Sequence, residues 1–141
     1  MTTTLVYGLA IAGRAVASEL VSRGEKVILV DDLDSSSHSE FAHSLNSEIR
    51  IRPTSVELAE LLQQSDRVVP APGVPETHEL FEVSRQMQKP VMSEIELAYQ
   101  IEQKSSSPRP MVAVTGTDGK TTTTLMAAAI LNSAGKKSLA V

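Results

Sequence analysis

Short apolar, β-branched runs alternate with helical stretches along most of this chain, and few folds accommodate that order. Residues 4–7 read as a buried strand ending at Gly8. A helix over 14–23 follows, with Val16 and Leu20 at helical spacing and Gly24 as its stop. Residues 27–30 form a second strand, closed by the acidic turn Asp31–Asp32, and the Ser-rich stretch 35–39 reads as a loop or a capped helix start. A third strand is expected at 49–51, then a helix with Val56, Ala59 and Leu62 on one face. A fourth strand at 67–69 runs into the breaker-rich P-A-P-G-V-P of 70–75. A helix over 76–88, a fifth strand at 90–92 and a helix over 94–103 complete the series. Alternating β and α with short connections predicts a doubly wound, Rossmann-like α/β domain over residues 1–104, its parallel sheet covered by helices on both faces.

Residues 105–110 (S-S-S-P-R-P) have linker composition. Beyond them a strand at 111–114 is expected to enter the run T-G-T-D-G-K-T-T-T-T, then a helix over 120–134, a Gly135 C-cap and a further strand from residue 137. A Gly-rich turn opening a helix points successive backbone N–H groups inward, and the helix dipole adds positive potential, which together make a phosphate cradle. Lys120 would reach terminal phosphates and the Thr121 hydroxyl would ligate Mg²⁺. Val114 stands where the longer phosphate-loop pattern has its first Gly, so this is the shorter G-x-x-G-K-T form starting at Gly116. The bland alternative is a strand-to-helix turn that binds nothing. About thirty residues cannot bury a sufficient core, so 111–141 reads as the opening β–loop–α–β of a second α/β domain, truncated here.

Gly8 to Gly13 (G-L-A-I-A-G) lies directly after the first strand and opens a helix, but Ala10 replaces a glycine of the dinucleotide fingerprint. Asp31 ends the second strand near where that fingerprint places a ribose-binding acid. A nucleotide at the carboxyl ends of the strands and a merely structural tight turn fit these residues equally. Pro72, Gly73 and Val74 follow strand four at the same edge and could line the same crevice. His38, His43 and His78 show no ligand spacing and read as surface histidines; no Ser–His–Asp or paired-carboxylate constellation is present. A net charge of −4 opposes a nucleic-acid partner, and aromatics at 3% offer no stacking platform for single strands. Absence of Cys removes thiolate chemistry and disulfides and suits a cytoplasmic setting. No apolar run approaches a membrane span, so no membrane partner is expected.

Four motifs in one order resemble the ATP-dependent Mur ligases of peptidoglycan synthesis: G-L-A-I-A-G from Gly8, A-P-G-V-P from Ala71, S-E-I-E-L from Ser93, and V-A-V-T-G-T-D-G-K-T-T from Val112. Ala10, Ala71 and Asp118 depart from the family's usual Gly, Ser and Asn. The resemblance implies a three-domain, cytoplasmic, monomeric enzyme: a domain holding the UDP end of the precursor, a central ATP- and Mg²⁺-binding domain, and a third domain helping to hold ATP and the amino acid. It implies that Ala10, Ile11 and Ala12 offer backbone to the uridine diphosphate, that Asp31 and Asp32 sit near uracil, and that Gly73 and Val74 line that site. Gly116, Thr117, Asp118, Gly119, Lys120, Thr121 and Thr122 would hold ATP, with Lys120 catalytic and Thr121 on Mg²⁺. The motifs suit the branch that joins D-glutamate to UDP-N-acetylmuramoyl-L-alanine through an acyl phosphate, the 141-residue piece itself being inactive. The alanine-adding sibling, an unrelated P-loop protein and a non-catalytic UDP-sugar-binding module are the alternatives.

Overall fold

The computed structural model describes residues 1–140 and divides into two compact units, Met1–Ser106 and the segment from Ser107 onward. The first unit runs β1 (Thr3–Tyr7), α1 (Ile11–Ser22), β2 (Lys26–Asp31), α2 (Ser36–Ser44), β3 (Glu48–Ile51), α3 (Ser55–Gln63), β4 (Arg67–Pro70), α4 (Glu79–Gln86) and α5 (Glu94–Gln103). Its four strands form a parallel sheet in the order β3-β2-β1-β4. The chain therefore winds outward from β1 to β3, then crosses back to lay β4 on the other side of β1.

Period-two side-chain alternation splits each central strand between two cores. Leu5, Tyr7, Ile28, Val30 and Val68 pack with Leu58, Leu61 and Leu62 of α3 and Leu80 of α4. Val6, Val27, Leu29 and Val69 pack with Ala17 and Leu20 of α1, Ala42 of α2 and Leu97 of α5. Burial on both faces explains why these strands read as unbroken apolar runs.

Local chemistry sets the helix boundaries. Thr54 and Glu57 form a reciprocal capping box at α3, and the Ser93 hydroxyl accepts from the Glu96 N–H to start α5. The core face of α3 is Leu58, Leu61 and Leu62, whereas Val56, which the sequence put on one face with Ala59 and Leu62, is exposed. α4 begins later than the periodicity suggests, because His78 caps it by accepting from the Leu80 N–H.

The fifth strand expected at 90–92 is reduced to one parallel bridge between Val68 and Val91. Pro90 has no N–H to donate, and only its carbonyl and the Met92 N–H bond to Val68.

In the second unit α6 (Lys120–Ser133) forms as the sequence indicates. The flanking segments 111–114 and 137–140, expected as strands, are not strands; Val141 lies outside the described residues. A strand exists only through hydrogen bonds to a neighbour, and among the described residues these segments have no ladder partner. Leu125, Met126 and Ile130 of α6 are correspondingly exposed.

Candidate functional site

At the carboxyl edge of the sheet, three connections converge on a cleft of about 460 Å³. The β1–α1 turn contributes Gly8 to Ala12, the end of β2 contributes Asp31 and Asp32, and the turn after β4 contributes Ala71 to Pro75. Such crevices form where neighbouring connections leave a parallel sheet in opposite directions, here either side of β1. All seven residues expected at a UDP site, Ala10, Ile11, Ala12, Asp31, Asp32, Gly73 and Val74, line this one cleft.

Two glycines make the β1–α1 turn possible. Gly8 sits at φ +92°, and a Cβ there would also press on the Ala71 Cβ at 3.0 Å. Gly13 lies so close to the preceding turn that a Cβ would stand 1.8 Å from the Gly8 carbonyl oxygen. α1 thus starts against the strand end. Its N-cap, Ala10, has no side-chain acceptor and its first turn no acid, so the opening amides of the helix are left to bind an external acceptor.

The two acids differ in role. Asp31 accepts from the Leu9 N–H at 2.5 Å and the Leu33 N–H at 2.7 Å, tying the β1–α1 turn to the β2–α2 turn. His38 stands 3.8 Å from the same carboxylate and bonds through Nδ1 to the Leu33 carbonyl at 3.1 Å. It is 7% exposed, so it is a buried part of this clasp rather than a surface residue. Asp32 keeps 59% of its side chain exposed. Its Oδ1 accepts from the Tyr7 hydroxyl at 2.7 Å, and His78 Nε2 lies 3.2 Å from its Oδ2. Burial raises the Tyr7 phenol well above its ordinary range, and the hydrogen bond to Asp32 and that residue's negative charge raise it further. The phenol therefore stays a donor.

Sequence reasoning missed Tyr7 and His78. Tyr7 read as one more core residue of β1, and His78, expected at the surface, is largely buried against it with ring centroids 4.8 Å apart. The available signals were a hydroxyl on the last residue before the glycine turn and an imidazole at a helix N-cap.

The second unit carries the Gly116–Thr122 loop by itself. Gly116 (φ +151°) and Gly119 (φ +75°) allow the turn, and Gly119 caps α6 without a side-chain acceptor. The Lys120 ammonium donates to the carbonyls of Gly116 at 2.6 Å and Thr117 at 3.0 Å, which holds a cation across the mouth of the loop. Free helix amides and a lysine are the donor set a polyphosphate requires. Thr121 offers one hard oxygen suited to Mg²⁺, but among the described residues no cluster of three His, Cys, Asp or Glu side chains could hold a metal. No helix of the described residues is long and apolar enough to cross a membrane.

Comparison with known proteins adds the lineage. The chain is 39% identical over 137 residues to a UDP-N-acetylmuramoylalanine–D-glutamate ligase of Syntrophus aciditrophicus, covering 94% of this chain and 28% of that protein. It is 38% identical over 136 residues to the enzyme so named in Streptococcus uberis, covering 96% of this chain and 29% of that one. The chain thus spans under a third of the length of these curated relatives. Among solved structures it superposes on the UDP-N-acetylmuramate–alanine ligase of Thermotoga maritima with a TM-score of 0.59 and 27% identity, covering 94% of this chain and 29% of that one. No family model matches the chain.

Proposed function

We propose that the chain, 38–39% identical over nearly all of its length to curated UDP-N-acetylmuramoylalanine–D-glutamate ligases, is of the Mur ligase family and supplies the precursor-binding part of an ATP-dependent ligase joining D-glutamate to UDP-N-acetylmuramoyl-L-alanine. In this reading residues 1–104 hold the UDP end of the precursor, 105–110 link, and 111–141 open the ATP-binding domain. The observation that carries it is the cleft: α1 amides free for a diphosphate, an exposed carboxylate at the end of β2 and the Pro72–Val74 turn all face one space. Backbone N–H groups at Ile11 and Ala12 would bond the diphosphate, where the helix dipole adds attraction. The ionised Asp32 carboxylate would accept the uracil N3–H, and Gly73 and Val74 would pack against the nucleoside. Ala10 disfavours NAD, since its methyl group stands where close backbone approach to a pyrophosphate calls for glycine.

The loop Gly116–Thr122 would hold the ATP phosphates through its amides and the Lys120 ammonium, which must leave the Gly116 and Thr117 carbonyls to do so. Thr121 would help to hold Mg²⁺, which when bound neutralises phosphate charge. Lys120 would act most strongly where negative charge builds on phosphate during transfer to the precursor's alanine carboxylate, before the D-glutamate amine displaces it.

Calorimetry with UDP, UDP-N-acetylmuramoyl-L-alanine and NAD tests the cleft assignment. Both uridine compounds should bind and NAD should bind more weakly; tighter binding of NAD would overturn it. The likeness to the Thermotoga ligase favours a second reading, an alanine-adding enzyme. Full-length protein that ligates L-alanine to UDP-N-acetylmuramate, and not D-glutamate to its alanyl form, would establish that reading instead.

A further inference from the structure

We infer that Tyr7 and His78 are positioning residues that hold the Asp32 carboxylate at the cleft edge as a fixed, ionised acceptor for the ligand's base. The inference rests on the cleft being a uridine nucleotide site and adds two residues that its recognition needs.

The argument begins with the tautomer of His78. Its Nδ1 accepts the Leu80 N–H at 3.1 Å, so in the neutral ring the proton sits on Nε2. Nε2 lies 3.2 Å from both the Tyr7 oxygen and Asp32 Oδ2, and so donates toward them. The Tyr7 hydroxyl donates to Asp32 Oδ1 at 2.7 Å. Each carboxylate oxygen thereby meets one anchored donor and keeps a lone pair for the cleft. The Arg52 Nε–H also bonds the Asp32 backbone carbonyl at 2.5 Å, which fixes the main chain beneath the side chain. Besides Asp32, the charges that act on the Tyr7 phenol are Asp31 and Glu79, both acidic. They favour neither a second carboxylate nor a phosphate at this corner.

A structural role alone does not account for the convergence. Capping α4 uses only Nδ1, and filling the core uses only the Tyr7 ring. The polar ends of both side chains meet instead on a carboxylate that is mostly exposed and adds nothing to the core. An exposed Asp must otherwise lose two free torsions on binding, and anchoring it beforehand removes that entropic cost.

The test is a double-mutant cycle on UDP binding by the chain. Tyr7→Phe keeps the ring and removes the donor. His78→Asn keeps a capping acceptor but is too short to reach Asp32. Each should weaken UDP binding about three- to tenfold, the range of one lost hydrogen bond. In an Asp32→Ala background neither should weaken it further. Circular dichroism establishes that each variant is folded. An equal fold-loss with and without Asp32, or no loss from either variant while Asp32→Ala is impaired, would overturn the positioning role and leave the cleft assignment standing. Parent chain that prefers NAD to UDP would overturn both.

Discussion

Gly13→Ala isolates the packing on which the cleft depends. The added Cβ would lie 1.8 Å from the Gly8 carbonyl oxygen, and real Cβ contacts do not fall below 3.0 Å. α1 must therefore retreat from the β1 turn by more than an ångström. The clashing atom is backbone at a residue already at φ +92°, and Gly8 N–H is fixed to the Val30 carbonyl at 2.8 Å, so the turn cannot yield cheaply. A gap of that size forfeits a quarter to a half of the dispersion well for each facing atom pair, and Ala17 and Leu20 of α1 lie in that core. Overpacking of this kind costs about 2–3 kcal/mol. For a unit of this size that is on the order of 10 °C in Tm. Two other glycines calibrate the result. Gly73 has open space and no left-handed φ, so Gly73→Ala should stay within about 0.5 kcal/mol of the parent. Gly24 has open space but φ +78°, so Gly24→Ala should cost about 1 kcal/mol through backbone strain alone. Urea denaturation followed by circular dichroism gives all three. Gly13→Ala as stable as Gly73→Ala would refute the close-packing argument.

Lys120→Ala in the full-length protein should lower ligation roughly a hundredfold or more while changing UDP affinity less than twofold, and steady-state kinetics with calorimetry separates the two. The raised Tyr7 phenol makes an alkaline prediction: the unfolded chain loses this proton near its ordinary value of about 10, the folded chain only above it. Stability from this group is therefore complete below about pH 10 and falls as pH rises beyond it. Urea titrations at about pH 9 and about pH 11 should show a smaller loss in Tyr7→Phe than in the parent. Thr54→Ala removes the side-chain acceptor for the Glu57 N–H, one half of the α3 capping box, and should cost about 1 kcal/mol in the same assay. An unchanged midpoint would count against that cap.

Elements whose causes are local were legible from the residues. α5 spans Glu94–Gln103, the range read from the residues, and its start is fixed locally by the Ser93 hydroxyl accepting from the Glu96 N–H three residues on. The cleft loops were legible because a parallel sheet sends every strand's carboxyl end to one edge. What escaped depends on distant partners. His78 meets Tyr7 across 71 positions of sequence, and nothing near either residue encodes that meeting. His38 looked like a surface residue until α2 folded it onto Asp31. The segments 111–114 and 137–140 have strand composition, but composition supplies side chains, whereas a strand needs a neighbour's backbone.

The crossing from β3 back to β4 also has a kinetic consequence. β4 pairs with β1 across the intervening α1-β2-α2-β3-α3, with Arg67 opposite Thr4, while β1 and β2 pair over far shorter separations. Long loops close slowly because their entropy is lost before any contact rewards it. The cleft has one wall on β1 and the other beyond β4, so it does not exist until that last closure is made. Nucleotide bound across both walls would therefore act on the native side of the barrier. It should lengthen the lifetime of the folded unit by slowing the departure of β4, and leave the rate of folding almost unchanged.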